Sequence, residues 1–179
     1  MRKIVSILVI ITVIFTACTD NKQSKIDKIK DLEKKMNSKT DSSFSIAKQK
    51  ELVTAYIDFA ESYPDDTSAA TCYYNAAKIS MYTDPKKAVE YYDKVISDYP
   101  NFRKMNDCMF QIAFTYDNYL KDIKKAKEAY EAFIKKYPND DFADDAQSLI
   151  DMLGKTDQQI AAELQAKNKK DTLETSNQK

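Results

Sequence analysis

The chain has no histidine and no tryptophan, and only one glycine and four prolines in 179 residues. Without histidine it lacks the side chain that most often serves as a general base near neutral pH or as a neutral metal ligand. A single glycine cannot build a phosphate-cradling loop, where several are needed for close backbone approach. The serines have no evident base to activate them. Carboxylates cluster at Asp65-Asp66, Asp140-Asp141 and Asp144-Asp145, but a calcium loop asks for alternating oxygen ligands and a turn glycine. These aspartates read as turn formers and as charges suited to helix N-termini. Lys86-Lys87 and Lys124-Lys125 read as solvated helix faces. No catalytic residue, metal site or cofactor is expected.

What is present is a segment that occurs twice. Residues 84–100 read DPKKAVEYYDKVISDYP and residues 122–138 read DIKKAKEAYEAFIKKYP, with nine of seventeen positions identical at an offset of 38. A fainter copy, KQKELVTAYIDFAESYP, occupies 48–64. A helical unit recurring at such an interval is the signature of a solenoid, in which each unit buries its apolar face against its neighbours. The fold class expected is all-α, a helical-repeat solenoid of about seven or eight helices.

Apolar spacing places these helices. Ser24 would cap a helix over 25–37, with Ile26, Ile29, Leu32 and Met36 on one stripe. After a break at 38–42, helices are expected at about 44–62, 67–82, 85–98, 103–120, 122–136 and 141–153. Pro85 suits a first helical turn. Gly154 follows a helix where a left-handed C-cap is wanted. Thr156 and Gln159 then form a capping box for a last helix reaching about 167, with Ile160 and Leu164 facing inward. The tail, 168–179, is polar, and its composition suggests disorder.

The N-terminus is of a different kind. Met1-Arg2-Lys3 is basic, and Ile4 to Phe15 is apolar apart from Ser6 and Thr12. That run is shorter than the ~20 residues of a membrane span and has the flanks of a signal peptide. It ends in Phe15-Thr16-Ala17-Cys18, which resembles a bacterial lipoprotein box, with phenylalanine where leucine is commoner. The resemblance implies cleavage before Cys18 and a diacylglycerol thioether on Cys18. Two or more acyl chains would then hold the protein on a membrane. The alternatives are an ordinary signal peptide cut nearby or an uncleaved anchor. Loss of 1–17 would leave 26 basic and 28 acidic residues, with Arg103 the one arginine. Neither that balance nor the scarcity of arginine fits a nucleic-acid binder.

Cys72 and Cys108 remain, and an exported pair invites a disulfide. Each lies eight residues after a proline, Pro64 and Pro100, and Ala146 fills the same slot after Pro138. Equivalent positions of stacked helical units sit about 10 Å apart, beyond the ~7 Å that a disulfide tolerates. Both cysteines are therefore expected as small buried residues.

The units resemble tetratricopeptide repeats. In that family a small residue in the second helix is followed by an aromatic four later and a proline twelve later. Ala88, Tyr92 and Pro100, then Ala126, Tyr130 and Pro138, fit this pattern, and Ala77 and Ala113 fit the small position of the first helix. The faint copy keeps Tyr56 and Pro64 but has Leu52 in the small slot of its second helix, and Asp151 occupies the small position of the first helix in the last unit, which suggests a capping half-repeat. The phrase YPNDDFADDAQSLI at 137–150 is similar to the long-turn variant of envelope lipoproteins of the BamD/YfiO type and of the Tol–Pal-associated periplasmic repeat protein. The short array and the 25–37 helix depart from the five-repeat assembly lipoprotein.

The organisation this implies is a signal peptide at 1–17, a lipidated cysteine with tether and short helix at 18–43, and repeats at 44–154. A capping helix at 155–167 and a tail at 168–179 follow. The resemblance also implies a concave groove lined by first helices. Carried over residue by residue, it would include Tyr74, Lys78, Met81 and Tyr82, then Phe110, Phe114, Asp117 and Asn118. The alternative for Tyr74, Phe110 and Phe114 is packing between helices. The expected function is a membrane-anchored scaffold that binds a protein or peptide partner in the bacterial envelope, at the periplasmic face of the outer membrane. The competing expectation is a structural lipoprotein that self-associates through the 25–37 stripe.

Overall fold

The computed structural model describes residues 21–36, 46–156, 158–163 and 165–166. The expected signal peptide, Cys18, the 38–42 break, Leu164 and the tail lie outside the described residues. Helices follow one another along the chain: α1 (21–36), α2 (Ile46–Ser62), α3 (Ala69–Thr83), α4 (Pro85–Asp98), α5 (Met105–Asn118), α6 (Ile123–Lys136), α7 (Ala143–Met152) and α8 (158–163). No strand occurs among the described residues, so the all-α solenoid expectation stands. The described residues fall into two compact units, one up to Cys108 and one from Met109, with the boundary inside α5.

In the first unit, α4 shows how one segment encodes its own ends and its inner face. The Asp84 carboxylate accepts from the Lys87 backbone N–H at 3.2 Å, satisfying a donor that the helix leaves open. Pro85 follows in the first turn, where its missing N–H costs nothing. Ala88, Val89, Tyr92 and Val95 are buried at helical spacing. Ala77 on α3 and Ala88 on α4 have no exposed surface; both are small, as a close approach of α3 and α4 requires. Each fully buried aliphatic or aromatic side chain contributes about 1.5–3 kcal/mol. In the second unit α6 repeats the design. Asp122 accepts from the Lys125 N–H at 3.1 Å, and Ala126, Tyr130 and Phe133 are buried.

The recurring Tyr-Pro pair marks a corner built the same way three times. Tyr63 N–H donates to Phe59 O at 3.0 Å, Asp66 N–H to Tyr63 O at 3.0 Å, and Ala69 N–H to Asp66 O at 3.0 Å. Matching bonds link Phe102 to Tyr99, Met105 to Phe102, Asp140 to Tyr137 and Ala143 to Asp140. The proline forbids helical continuation by the residue before it. This corner makes α3, α5 and α7 start two residues later than their spacing suggests. The backbone groups of 66–69, 102–105 and 140–143 are spent on the turn, and Asp66 and Asp140 accept from Ser68 and Phe142 N–H at 2.7 and 3.0 Å.

The far end follows its expected chemistry. Gly154 adopts φ 74° after α7. Gln159 accepts from the Thr156 N–H at 2.8 Å while Thr156 Oγ1 accepts from the Gln159 N–H at 3.3 Å, a reciprocal capping box. Lys121, between α5 and α6, also takes a positive φ of 54° without being glycine, a conformation that costs a residue with a Cβ about 1–2 kcal/mol.

The N-terminal helix departs from expectation. It begins by residue 21, so Ser24 lies within it rather than capping it, and residues 21–24 are helix rather than tether. Ile29 and Leu32 are buried at 8% and 5% exposure. Lys25 pairs with Asp58 and Lys28 lies 3.9 Å from Glu51, while the Tyr56 hydroxyl donates to Glu33 at 2.5 Å. α1 is therefore the helical partner of α2, and a boundary at 44 would separate two helices that pack together.

Candidate binding surface

α1, α2 and α3 enclose a cleft of about 270 Å³ in the first unit. Ile26, Ile29, Tyr56, Phe59 and Cys72 give it an apolar lining. Lys30 and Glu33 from α1, and Thr67, Ser68, Thr71 and Asn75 from the α3 side, supply polar groups. Concave apolar sites with a few convergent polar groups are the usual form of a ligand site. Burial pushes the Cys72 thiol up to about 12, with Glu33 and Asp66 adding to the effect, so this cysteine is a packing residue and not a nucleophile. The Tyr56 hydroxyl is also raised, first by burial and then by its bond to Glu33.

Thr71, Asn75, Lys78 and Tyr82 recur at helical spacing and occupy one face of α3. Lys78 is exposed, and Tyr82 is exposed at 73%. These two of the expected groove residues continue the face whose first turns line the cleft. Tyr74 and Met81 are placed otherwise, at 5% exposure each. The Tyr74 ring packs edge-on against Tyr92 with centroids 6.1 Å apart and tilts against Phe102 at 5.7 Å. Its hydroxyl donates to Asp107, and the ammonium groups of Lys104 and Lys78 stand 4.8 and 5.6 Å from the ring centre. Met81 presents its sulfur to the Tyr92 hydroxyl at 3.5 Å.

In the second unit Phe110 belongs to the core, with ring centroids 5.8 Å from Tyr130, 5.6 Å from Phe133 and 5.0 Å from Phe142. Phe114 is half-buried against the same cluster. Asp117 is half-buried, and burial raises its carboxyl above the usual value while Lys121 partly offsets this. It lines a second cleft of about 250 Å³ with Lys121, Ile123, Leu149, Met152 and Leu153. Asn118 is exposed, and its amide donates to Phe114 O at 3.3 Å. So Tyr74, Met81 and Phe110, expected in a groove, are core residues: the aromatics that looked like anchors hold the helical pairs together. The small and aromatic signature residues Ala77, Ala88, Tyr92, Ala113, Ala126 and Tyr130 have no exposed surface, while Pro100 and Pro138 sit exposed at the corners.

The α1 wall of the cleft was not among the expected site residues. The signal that could have found it was present. The second-helix pattern Tyr56…Pro64 calls for a first helix before it, and the Ile26, Ile29, Leu32 stripe supplies one. Cys72 and Cys108 are free and buried, and Ala146 in the equivalent slot has no exposed surface. No cluster of metal-ligating side chains occurs among the described residues.

The family model described as tetratricopeptide repeat matches residues 69–101 and 107–140. The two matches cover α3–α4 and α5–α6, each with the turn that ends its second helix. The chain thus carries tetratricopeptide repeats, a class that typically serves protein–protein interaction and not catalysis. No curated protein matches the chain.

Proposed function

We propose that the protein is a lipid-anchored scaffold of the bacterial cell envelope that binds a protein or peptide partner along its first helical unit. The observation that carries this is the cleft between α1 and α3, which is lined in part by the first matched repeat and has an apolar lining and polar walls. The signal-peptide pattern and the lipoprotein-box resemblance at Cys18 support an anchor, and the periplasmic face of the outer membrane is the proposed site. A role in outer-membrane protein assembly or a Tol–Pal-like system follows from the similarity of 137–150 to those repeat proteins. The competing stripe for self-association is largely used inside the chain, since Ile29 and Leu32 are buried in their own unit.

The test is a crosslinked pull-down of the tagged protein from detergent-solubilised envelopes. Thr71→Arg puts a long charged side chain into the cleft from an exposed position on α3 and replaces no buried residue. A partner captured by the wild type and lost with Thr71→Arg, at unchanged melting temperature, supports the reading. A partner that both capture equally removes the cleft from it.

A further inference from the structure

The chain between Cys18 and the first helix is very short. α1 has begun by Asn21, three Cα steps from Cys18, and three steps span at most about 11 Å whatever their conformation. Ile26, at the near edge of the cleft, lies a further ~8 Å along the helix at 1.5 Å per residue. The first turn of α1 is also tied to the corner at 63–66: Lys22 pairs with Asp66, and its ammonium group stands 5.7 Å from the centre of the Tyr63 ring.

We infer that this corner, formed by the first turn of α1 and by Tyr63 to Asp66, faces the lipid surface, with the cleft mouth within about 20 Å of the bilayer. This rests on the lipidation of Cys18 proposed above. The groups at the corner suit an interface. Tyr63 and Lys22 are each partly buried, and both side chain types join an apolar body to a polar tip. Charge does not create the contact. Lys22 and Lys25 are answered by Asp66 and Asp58, and Asp65 adds a further negative charge. The corner therefore has no basic excess of the sort that draws a protein to anionic lipid. Proximity comes from the tether alone and is insensitive to salt. The cleft then meets only what reaches into this layer: a membrane-embedded or lipid-anchored partner, or a segment close to the membrane.

The experiment uses the full lipidated protein in phosphatidylethanolamine–phosphatidylglycerol vesicles. Asp65→Cys carries a donor dye and a headgroup-labelled lipid serves as acceptor. Labelling is selective because Cys72 and Cys108 are buried. A second form carries a Gly/Ser insertion of about 30 residues between Asp20 and Asn21, whose r.m.s. reach is about 30 Å. Energy transfer at position 65 is expected to fall at least about twofold with the insertion and to be the same at low and high salt. Equal transfer in the two forms overturns the inference and leaves the scaffold reading intact. A mass spectrum showing Cys18 without lipid overturns the inference together with the anchored form of that reading.

Discussion

Tyr92 and Tyr130 fill the same slot of successive repeats, both without exposed surface, yet their hydroxyls are differently served. Tyr92 donates to the Met81 sulfur at 3.5 Å, whereas the Tyr130 hydroxyl is buried with no hydrogen-bond partner among the described residues. Aligning the small residues Ala77 and Ala113 places Asp117 where Met81 stands. Burial raises the Tyr130 hydroxyl pKa, and the nearby Asp117 charge raises it further. A buried hydroxyl without a bond costs about 1–3 kcal/mol.

Tyr130→Phe is therefore expected to leave stability unchanged or raise it by about 1 kcal/mol, while Tyr92→Phe lowers it by about 0.5 kcal/mol. Urea unfolding of the two variants beside wild type checks the order. Tyr130→Phe coming out as the less stable variant would show that its hydroxyl has a bond in solution.

Cys72 and Cys108 titrate well above the free thiol, each pushed up to about 12 mainly by burial. The thiolate is the reactive form, so a disulfide reagent at pH 8 is expected to modify neither in the folded protein and both after denaturation. Fast modification of either one under native conditions would mean that the helical pair around it opens readily.

The carboxyls of Asp66 and Asp117 shift in opposite directions, and their effects on stability have opposite signs. Hydrogen bonds from Lys22 and then from the Ser68 backbone hold Asp66 below its ordinary value. Its stabilisation is fully present above that ordinary value and is lost as pH falls through the lower folded value. Asp66→Asn should thus lower stability at pH 7 by at most about 1 kcal/mol, less in high salt, and flatten the loss on the acid side. Asp117 is raised by burial, so its charge costs stability at neutral pH, and that cost vanishes as pH falls through its folded value towards the ordinary one. Asp117→Asn is expected to stabilise at pH 7 and to have no effect near pH 3. Melting temperatures of both variants across this range check the two signs.

Much of this architecture is written in the sequence in a form that physics can read. Asp84-Pro85 and Asp122 announce helix starts, the Tyr-Pro corners announce helix ends, and the alanine–tyrosine spacing fixes the buried face. What was not legible concerns side chains whose type is ambiguous. Tyr74 and Phe110 have the size and amphipathic surroundings of binding anchors, but equally the size of core residues. Only the position of Asp107, Phe102 and Phe142 around them decides. The left-handed turn at Lys121 carries no glycine or asparagine to announce it. The role of α1 was obscured because a 16-residue helix that follows the apolar run at 4–15 reads as an isolated segment until its partners on α2 are known.

The bond between Tyr56 and Glu33 decides whether α1 is a working part of the fold. It joins α1 to α2 at 2.5 Å beside the cleft. Tyr56 is 4% exposed, and a hydrogen bond to a charged acceptor is worth about 1.5–3 kcal/mol when well sheltered. The Glu33 side is half-buried, which brings the expected coupling down to about 1 kcal/mol. A double-mutant cycle with Tyr56→Phe and Glu33→Gln measures it directly. Hydrogen exchange supplies the second readout. If α1 is part of the array, its amides open together with those of α2, and Glu33→Gln lowers protection in both helices by a similar factor. Exchange of α1 at unprotected rates, with no coupling in the cycle, would place α1 outside the helical array and deprive the cleft of one wall.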